Sequence, residues 1–300
     1  MLFEMLRAIL YGIVEGITEW LPVSSTGHLI ILDAIPALEI GTSLPAELRA
    51  EFCEMFEVVI QLGAILAVVV FFFDRLYPFS LGKHPKSRED TRRSLLLWAK
   101  IAVSCIPAAV FGLVADSILE RLTGKDLNAL LYTPAVVSAA LMVYGLLFIF
   151  IERARRGRAP VTADTDSISF PQALVIGIFQ ALAIIPGTSR SGSTVLGGCC
   201  LGISRPAAAE FSFFMAIPTM LGASLLKCVG FVGYLSASGA VLPAAELAAL
   251  ATAFVTAFAV SLAVVRFLLD FVRRHTFSVF GVYRILLGIA VAIWFGLKNE

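Results

Sequence analysis

The stretch AILYGIVEGITEWLPVSSTGH, Ala8 to His28, is too apolar for a loop and too interrupted for a plain membrane span. Pro22 breaks it, because proline removes a backbone donor and clashes with the preceding helical turn. A hydroxyl cluster, Ser24, Ser25 and Thr26, follows the break, and two carboxylates, Glu15 and Glu19, sit inside the apolar half. A second stretch of the same build, ALVIGIFQALAIIPGTSRSGST, runs from Ala173 to Thr194. Ala8 to Pro22 aligns with Ala173 to Gly187 after a one-residue slip at the proline, and each stretch precedes a Phe-rich span that begins near Phe56 or Phe211.

The rest of the chain sets the solvent for these stretches. Of 300 residues, 59% are hydrophobic and only 15% charged, with a mean hydropathy of +0.90; soluble domains carry about 25% charge. One core cannot hide that much apolar surface, so lipid replaces water over much of the exterior. The net charge of +1 supplies no basic field, which excludes nucleic acid as a partner. The five cysteines show no C-x-x-C spacing and sit mostly in apolar runs, so they read as packing residues. No cleaved signal peptide is expected from MLFEMLRAILYG, where Glu4 precedes the first Arg.

Six plain spans are expected, near Val58 to Phe73, Ser94 to Ala115, Leu127 to Ile151, Glu210 to Gly230, Leu247 to Leu269 and Phe277 to Leu297. Basic clusters lie at Lys83 to Arg93, at Glu152 to Arg158 and at Arg273 to His275, whereas Asp33 to Glu54 is an acidic loop and Asp116 to Asp126 is mixed. Basic loops face the cytoplasm. If both broken stretches are re-entrant hairpins, all three basic clusters share that side and the acidic loop lies opposite. The fold expected is therefore an all-α polytopic membrane protein, with six transmembrane helices and two re-entrant helical hairpins in an inverted-topology repeat. It forms one integral membrane domain over residues 1–300, with repeat one at about 1–151 and repeat two at about 170–297.

Chemistry concentrates in the two breaks. Glu15 and Glu19, at i and i+4, share a helix face among apolar neighbours, so they need a proton, a metal ion or an arginine between them. A divalent metal such as Mg²⁺ or Ca²⁺ suits hard carboxylate oxygens. Ser24, Ser25, Thr26 and His28 add hydroxyls and an imidazole within fourteen residues of Glu15; His is the usual acid or base near neutral pH. His84 and His275 fall in basic loops and read as solvated.

In the second break, Pro186 to Thr194 reads PGTSRSGST, and Arg190 is the lone charge between Ser167 and Ser204. At membrane depth an unpaired arginine costs at least about 2.5 to 3.5 kcal/mol, so Arg190 requires an anion. Gly187, Thr188, Ser189, Ser191 and Gly192 permit a tight turn whose N–H groups face such an anion, which makes phosphate or diphosphate the best fit. Pairing of Arg190 with Glu15 or Glu19 as a structural element stays open. No Walker G-x-x-x-x-G-K-[ST] run is present. Glu57, Glu210, Lys227 and Arg284 are further ionisable residues inside spans. The pairs Gly12/Gly16 and Gly198/Gly202 suit close helix packing.

The E-x-x-x-E of Glu15 to Glu19, the SSTGH of Ser24 to His28 and the PGTSRSGST of Pro186 to Thr194 closely resemble the undecaprenyl-diphosphate phosphatase family of bacterial inner membranes, also called the bacitracin resistance protein family. The resemblance extends through FEVVIQLGAI (Phe56 to Ile65) and SVFGVYRILLG (Ser278 to Gly288) and spans nearly the whole chain. It implies hydrolysis of undecaprenyl diphosphate to undecaprenyl phosphate and inorganic phosphate, which recycles the lipid carrier of cell-wall synthesis. It also implies a divalent metal and a site open to the periplasm. Glu15 and Glu19 would then hold the metal, Arg190 and the glycine-rich turn would hold the diphosphate, and Ser25 or His28 would supply a nucleophile or base. A lipid-phosphate transporter or flippase on the same repeat is the alternative; it needs the anion site but no nucleophile. The sequence leaves a monomer and a homo-oligomer equally open.

Overall fold

The computed structural model describes residues 2–80, 86–123 and 131–298. Among them the chain is built from helices, and six are long and apolar enough to cross a membrane. These are α3 (Ala46–Phe71), α4 (Arg88–Thr123), α5 (Pro134–Ala154), α8 (Arg205–Ser238), α9 (Ala244–Arg274) and α10 (Ser278–Lys298). At 1.5 Å per residue the 26 residues of α3 reach about 39 Å, more than a bilayer core of about 30 Å needs. The protein is an all-α, multi-pass membrane protein.

Four shorter helices make the two broken units. The first joins α1 (Leu2–Thr18) to α2 (Ser25–Asp33), and the second joins α6 (Phe170–Ala181) to α7 (Arg190–Cys200) through a 3₁₀ turn at Leu182–Ile184. Their sidedness is inside out relative to a soluble helix. On α1, Leu6, Ile9, Ile13 and Ile17 are exposed while Tyr11, Gly12, Glu15 and Gly16 are buried. On the second unit Leu174, Ile178, Leu182 and Ile185 are exposed. Helices with polar interiors and apolar exteriors are stable only where the solvent is hydrocarbon.

The two ends of each unit lie together. Tyr11 Oη donates to Asp33 at 2.5 Å, and Arg7 donates to the Ala37 and Glu39 carbonyls, so the start of α1 meets the end of α2. In the second unit the Ser204 amide donates to Thr162 O at 2.8 Å, and Val161 N to Gly202 O at 2.8 Å, so the approach to α6 meets the exit of α7.

Packing pairs the helices. α1 runs along α9, α6 along α4, α3 along α8 and α5 along α10. Glycines allow the closest approaches: a Cβ on Gly12 would stand 2.5 Å from Ala253 O in α9, and one on Gly177 would stand 2.1 Å from Ser104 O in α4. Gly12 and Gly16 thus do pack α1 tightly. In the other pair, a Cβ on Gly198 would stand 2.8 Å from the Ala208 Cβ, whereas Gly202 occupies a turn at φ +80°.

Two boundaries differ from the sequence reading. The acidic stretch expected as a loop to Glu54 is helical from Ala46, because Leu48, Phe52, Met55 and Phe56 are buried at helical spacing and carry the acidic side chains on the other face. The third span begins at Pro134 behind the Thr133 N-cap, not at Leu127, and residues 127–130 lie outside those described. Lys83 and His84 also lie outside them. All five cysteines are free thiols; Cys199 is buried and Cys200 is exposed.

Candidate functional site

Two helix N-termini converge on one carboxylate. Glu19, just past the end of α1, is 7% exposed. Its Oε2 accepts from Ser25 Oγ at 2.9 Å, its Oε1 from Arg190 Nη2 at 3.1 Å, and its main-chain carbonyl from Ser191 Oγ at 3.0 Å. Ser25 opens α2 and Arg190 opens α7. Each helix N-terminus carries roughly half a positive charge and free N–H groups, so this is a ready-made place for an anion.

The two N-termini are built alike. Ser24 and Ser189 are the caps, and their hydroxyls accept from Gly27 N and Gly192 N at 3.3 and 3.1 Å. Both are held at positive φ, 75° and 68°, where a side chain is strained. Such strain costs about 1 to 3 kcal/mol and persists only where the surroundings impose it. The sequence does not announce it, since serine is an ordinary cap at ordinary angles.

Arg190 is pinned on two sides. Besides Glu19 it donates from Nη1 to Ser212 O at 2.9 Å, and its guanidinium lies 5.9 Å from the centre of the Trp20 ring. Its Nε is buried without a hydrogen-bond partner. Thr194 Oγ1 and Ser212 Oγ lie 2.6 Å apart and close the floor. The expected need of Arg190 for an anion is therefore met in part by Glu19.

Glu15, one turn before Glu19, is fully buried, and neither of its carboxylate oxygens has a hydrogen-bond partner. His28 is tied elsewhere: Nδ1 contacts Ser24 O at 2.7 Å and Nε2 contacts Tyr283 Oη at 2.6 Å. A carbonyl only accepts, so the proton is assigned to Nδ1 and the Tyr283 hydroxyl donates to Nε2. No hydrogen bond joins His28 to Ser25. Thr26 is half-buried and makes no side-chain hydrogen bond among the described residues. Gly187 stands at φ +88° with no room for a Cβ, which would lie 2.5 Å from Val137 O, and Thr188 is buried. Ser189 and Ser191 hydroxyls are 3.2 Å apart.

Arg284 was one ionisable residue among several in the sequence, and the structure gives it a definite place. It is fully buried and donates to Pro22 O at 3.1 Å, Gly187 O at 2.7 Å and Thr188 O at 2.8 Å. One guanidinium from α10 thus clasps both helix breaks. Gly192 leaves it space, since a Cβ there would lie 2.9 Å from Arg284 Nη1. Glu210 and Lys227 stand apart from this centre, paired with Arg75 and Glu54. Glu57 lines a separate cavity of about 230 Å³ beside Tyr11 and Asp33.

Among the described residues no group of three or more His, Cys, Asp and Glu side chains could by itself hold a metal ion. Of the carboxylate pair, Glu15 has both oxygens available to one, while those of Glu19 are engaged by Ser25 and Arg190. Glu15 offers two buried oxygens with no other partner, and Mg²⁺ commonly takes one or two carboxylates and completes its shell with water and substrate phosphate.

Fold and centre together define a multi-pass α-helical membrane protein in which two helix breaks bring a serine and an arginine onto one buried carboxylate. The family model for the bacitracin resistance protein BacA matches residues 8–290, and the chain belongs to that family. It is 46% identical over 292 residues to an undecaprenyl-diphosphatase of Enterococcus faecalis, covering 97% of this chain and 96% of that one. It is 47% identical over 297 residues to an undecaprenyl-diphosphatase of Streptococcus mutans, covering 99% and 98%. A third, from Lachnoclostridium phytofermentans, is 47% identical over 296 residues, covering 99% and 98%.

Proposed function

We propose that the chain is an undecaprenyl-diphosphatase, a membrane hydrolase that converts undecaprenyl diphosphate to undecaprenyl phosphate and inorganic phosphate and so recycles the cell-wall lipid carrier. Family membership and near-full-length relatives bearing that name carry the activity. The observation that carries the site is the convergence of Ser25 and Arg190, each opening a helix, on Glu19.

In this reading the terminal phosphate lies at the N-termini of α2 and α7, against the unpartnered Nε of Arg190 and the free amides of the two first turns. Glu19 accepts the Ser25 proton. The Ser25 oxygen then bonds to the terminal phosphorus as the phosphoanhydride bond breaks and undecaprenyl phosphate leaves with the electron pair. Water hydrolyses the resulting phosphoserine, which frees inorganic phosphate and returns the proton to Ser25. Nucleophile and base already stand within hydrogen-bond reach at 2.9 Å, which favours hydrolysis over transport. His28, through Ser24 O and Tyr283, acts as a positioning residue for the Ser24 cap. Glu15 and Glu19 would hold Mg²⁺ or Ca²⁺, which when bound would neutralise charge on the diphosphate oxygens. The polyprenyl tail lies in the bilayer against the exposed apolar faces of the broken units.

The broken units are read as re-entrant hairpins of an inverted repeat. Supporting this, each unit's two ends lie together, Ser24 and Ser189 share a rare conformation, and α1 on α9 is the counterpart of α6 on α4 when the halves are exchanged. Basic termini at Arg88, Arg153, Arg205 and Arg273 then face the cytoplasm of a bacterial inner membrane, and the first unit opens to the periplasm.

The test is phosphate release from undecaprenyl diphosphate by the purified chain, with and without EDTA. Stoichiometric phosphate and undecaprenyl phosphate are expected, with activity lost on chelation and restored by Mg²⁺ or Ca²⁺. Absence of phosphate release at any metal concentration would overturn the reading.

A further inference from the structure

A basic pocket lies at the end of α8 away from the Lys227–Glu54 pair, where the C-terminal ends of α5 and α9 meet the N-terminus of α8. It has a volume of about 270 Å³ and is lined by Arg155, Arg158, Arg205 and Arg273, with Glu152 the one carboxylate in its wall. That carboxylate is already used. Its Oε1 accepts from Arg205 Nε at 2.7 Å and from Phe277 N at 2.9 Å, and its Oε2 accepts from Arg205 Nη2 at 2.6 Å. Arg273 reaches Asp270 at 3.5 Å in a pair whose side chains are about two-thirds exposed, 66% and 65%, a geometry worth little in water. Arg155 and Arg158 have no carboxylate within ion-pair distance among the described residues.

The pocket is shaped around one of these free guanidiniums. Gly202 forms its wall at φ +80°, and a Cβ there would stand 2.6 Å from Arg155 Nη2. The neighbouring backbone is pinned by Ser204 N to Thr162 O at 2.8 Å and by Ser204 Oγ to Ala163 O at 2.6 Å. Ile151 and Val272 supply an apolar wall beside the arginines. The volume is several times the ~30 Å³ share of one water molecule, enough for a tetrahedral anion with part of its hydration. None of these residues belongs to the Glu19 centre.

We propose that this pocket is a separate binding site for a phosphate group, held by Arg155 and Arg158 with Arg273 at the rim. Planar guanidiniums match phosphate oxygens bidentately. A basic recess at the ends of membrane spans meets two sources of that chemistry: the headgroup of an anionic phospholipid and inorganic phosphate from the aqueous phase. The site therefore ties occupancy at this face to the lipid or phosphate supply without sharing a residue with catalysis.

The experiment has two arms on the full chain. In the lipid arm, native mass spectrometry counts phosphatidylglycerol retained after detergent exchange from nanodiscs, with phosphatidylcholine as the neutral comparison. In the phosphate arm, sodium phosphate is titrated against modification of arginines by phenylglyoxal, read by peptide mapping. Wild type is expected to retain phosphatidylglycerol or to gain phosphate protection at Arg155 and Arg158 but not at Arg92. The double variant Arg155→Gln/Arg158→Gln should lose retention by about tenfold, equal to about 1.4 kcal/mol. The charge-matched Arg88→Gln/Arg92→Gln should not. Protection by phosphate without lipid retention assigns the site to the free anion; the converse assigns it to the headgroup. Equal loss in both double variants, or no phosphate protection of Arg155 and Arg158 together with no preference for phosphatidylglycerol over phosphatidylcholine, overturns the proposal. The protection readout uses wild type alone, so it holds even if a variant fails to fold.

Discussion

Replacing Arg284 with lysine tests whether one side chain holds the two helix breaks in register. The guanidinium satisfies three buried carbonyls, those of Pro22, Gly187 and Thr188, at 2.7 to 3.1 Å. A lysine ammonium is a point donor on a different stem and cannot span two chain segments in this fork geometry. If it keeps one of the three bonds, two buried carbonyls lose their partner, at about 1 to 3 kcal/mol each, so the expected loss is about 2 to 6 kcal/mol. That is a large part of the roughly 5 to 15 kcal/mol that ordinarily holds a domain folded. Thermal unfolding of the detergent-solubilised variant should show a melting temperature lowered by several degrees or more. Turnover should fall in the fraction that remains folded, because Ser25 and Arg190 lose their common reference. A variant with unaltered melting temperature and unaltered turnover would refute the clasp.

Three further outcomes follow from particular contacts. Ser189→Gly should melt at or above wild type and Ser189→Ala below it, because glycine relieves the strain at φ 68° and loses only a few tenths of a kcal/mol of capping, whereas alanine keeps the strain and loses about 1 kcal/mol; the reverse order in differential scanning fluorimetry would contradict the strained cap. Gly177→Ala should destabilise by about 1 to 3 kcal/mol, since its Cβ would fall 2.1 Å from Ser104 O, and a neutral result in the same assay would contradict tight packing of α6 on α4. In a cysteine-free background, an impermeant thiol reagent applied to intact cells should label Glu47→Cys but not Ser87→Cys; the opposite pattern would invert the topology.

Much of the centre was legible because charge in an apolar setting is conspicuous. Glu15, Glu19 and Arg190 stood out on that ground, and the hydroxyls beside Pro22 marked a break. What the sequence could not carry were partners remote along the chain. Arg284 bonds to carbonyls 96, 97 and 262 positions away, and a carbonyl belongs to every residue, so no side-chain pattern reveals it. Tyr283, 255 positions from His28, was hidden for the same reason. The early start of α3 was readable and was outweighed: Leu48, Phe52, Met55 and Phe56 have helical spacing, but the acidic residues between them drew the boundary toward a loop. The positive φ at Ser24 and Ser189 left no trace in composition.

Glu19 is the carboxylate that joins Ser25 to Arg190. Phosphate release from undecaprenyl diphosphate by Glu19→Gln, beside wild type at equal folded concentration and across a range of Mg²⁺, tests its role most directly. Glutamine keeps the shape but cannot take the Ser25 proton, so turnover per folded molecule should fall by about 10²-fold or more, the contribution of a positioned general base; loss of the anion beside Arg190 lowers the melting temperature as well, which is why the comparison is made at equal folded concentration. Wild-type turnover by Glu19→Gln at every Mg²⁺ concentration would contradict the account.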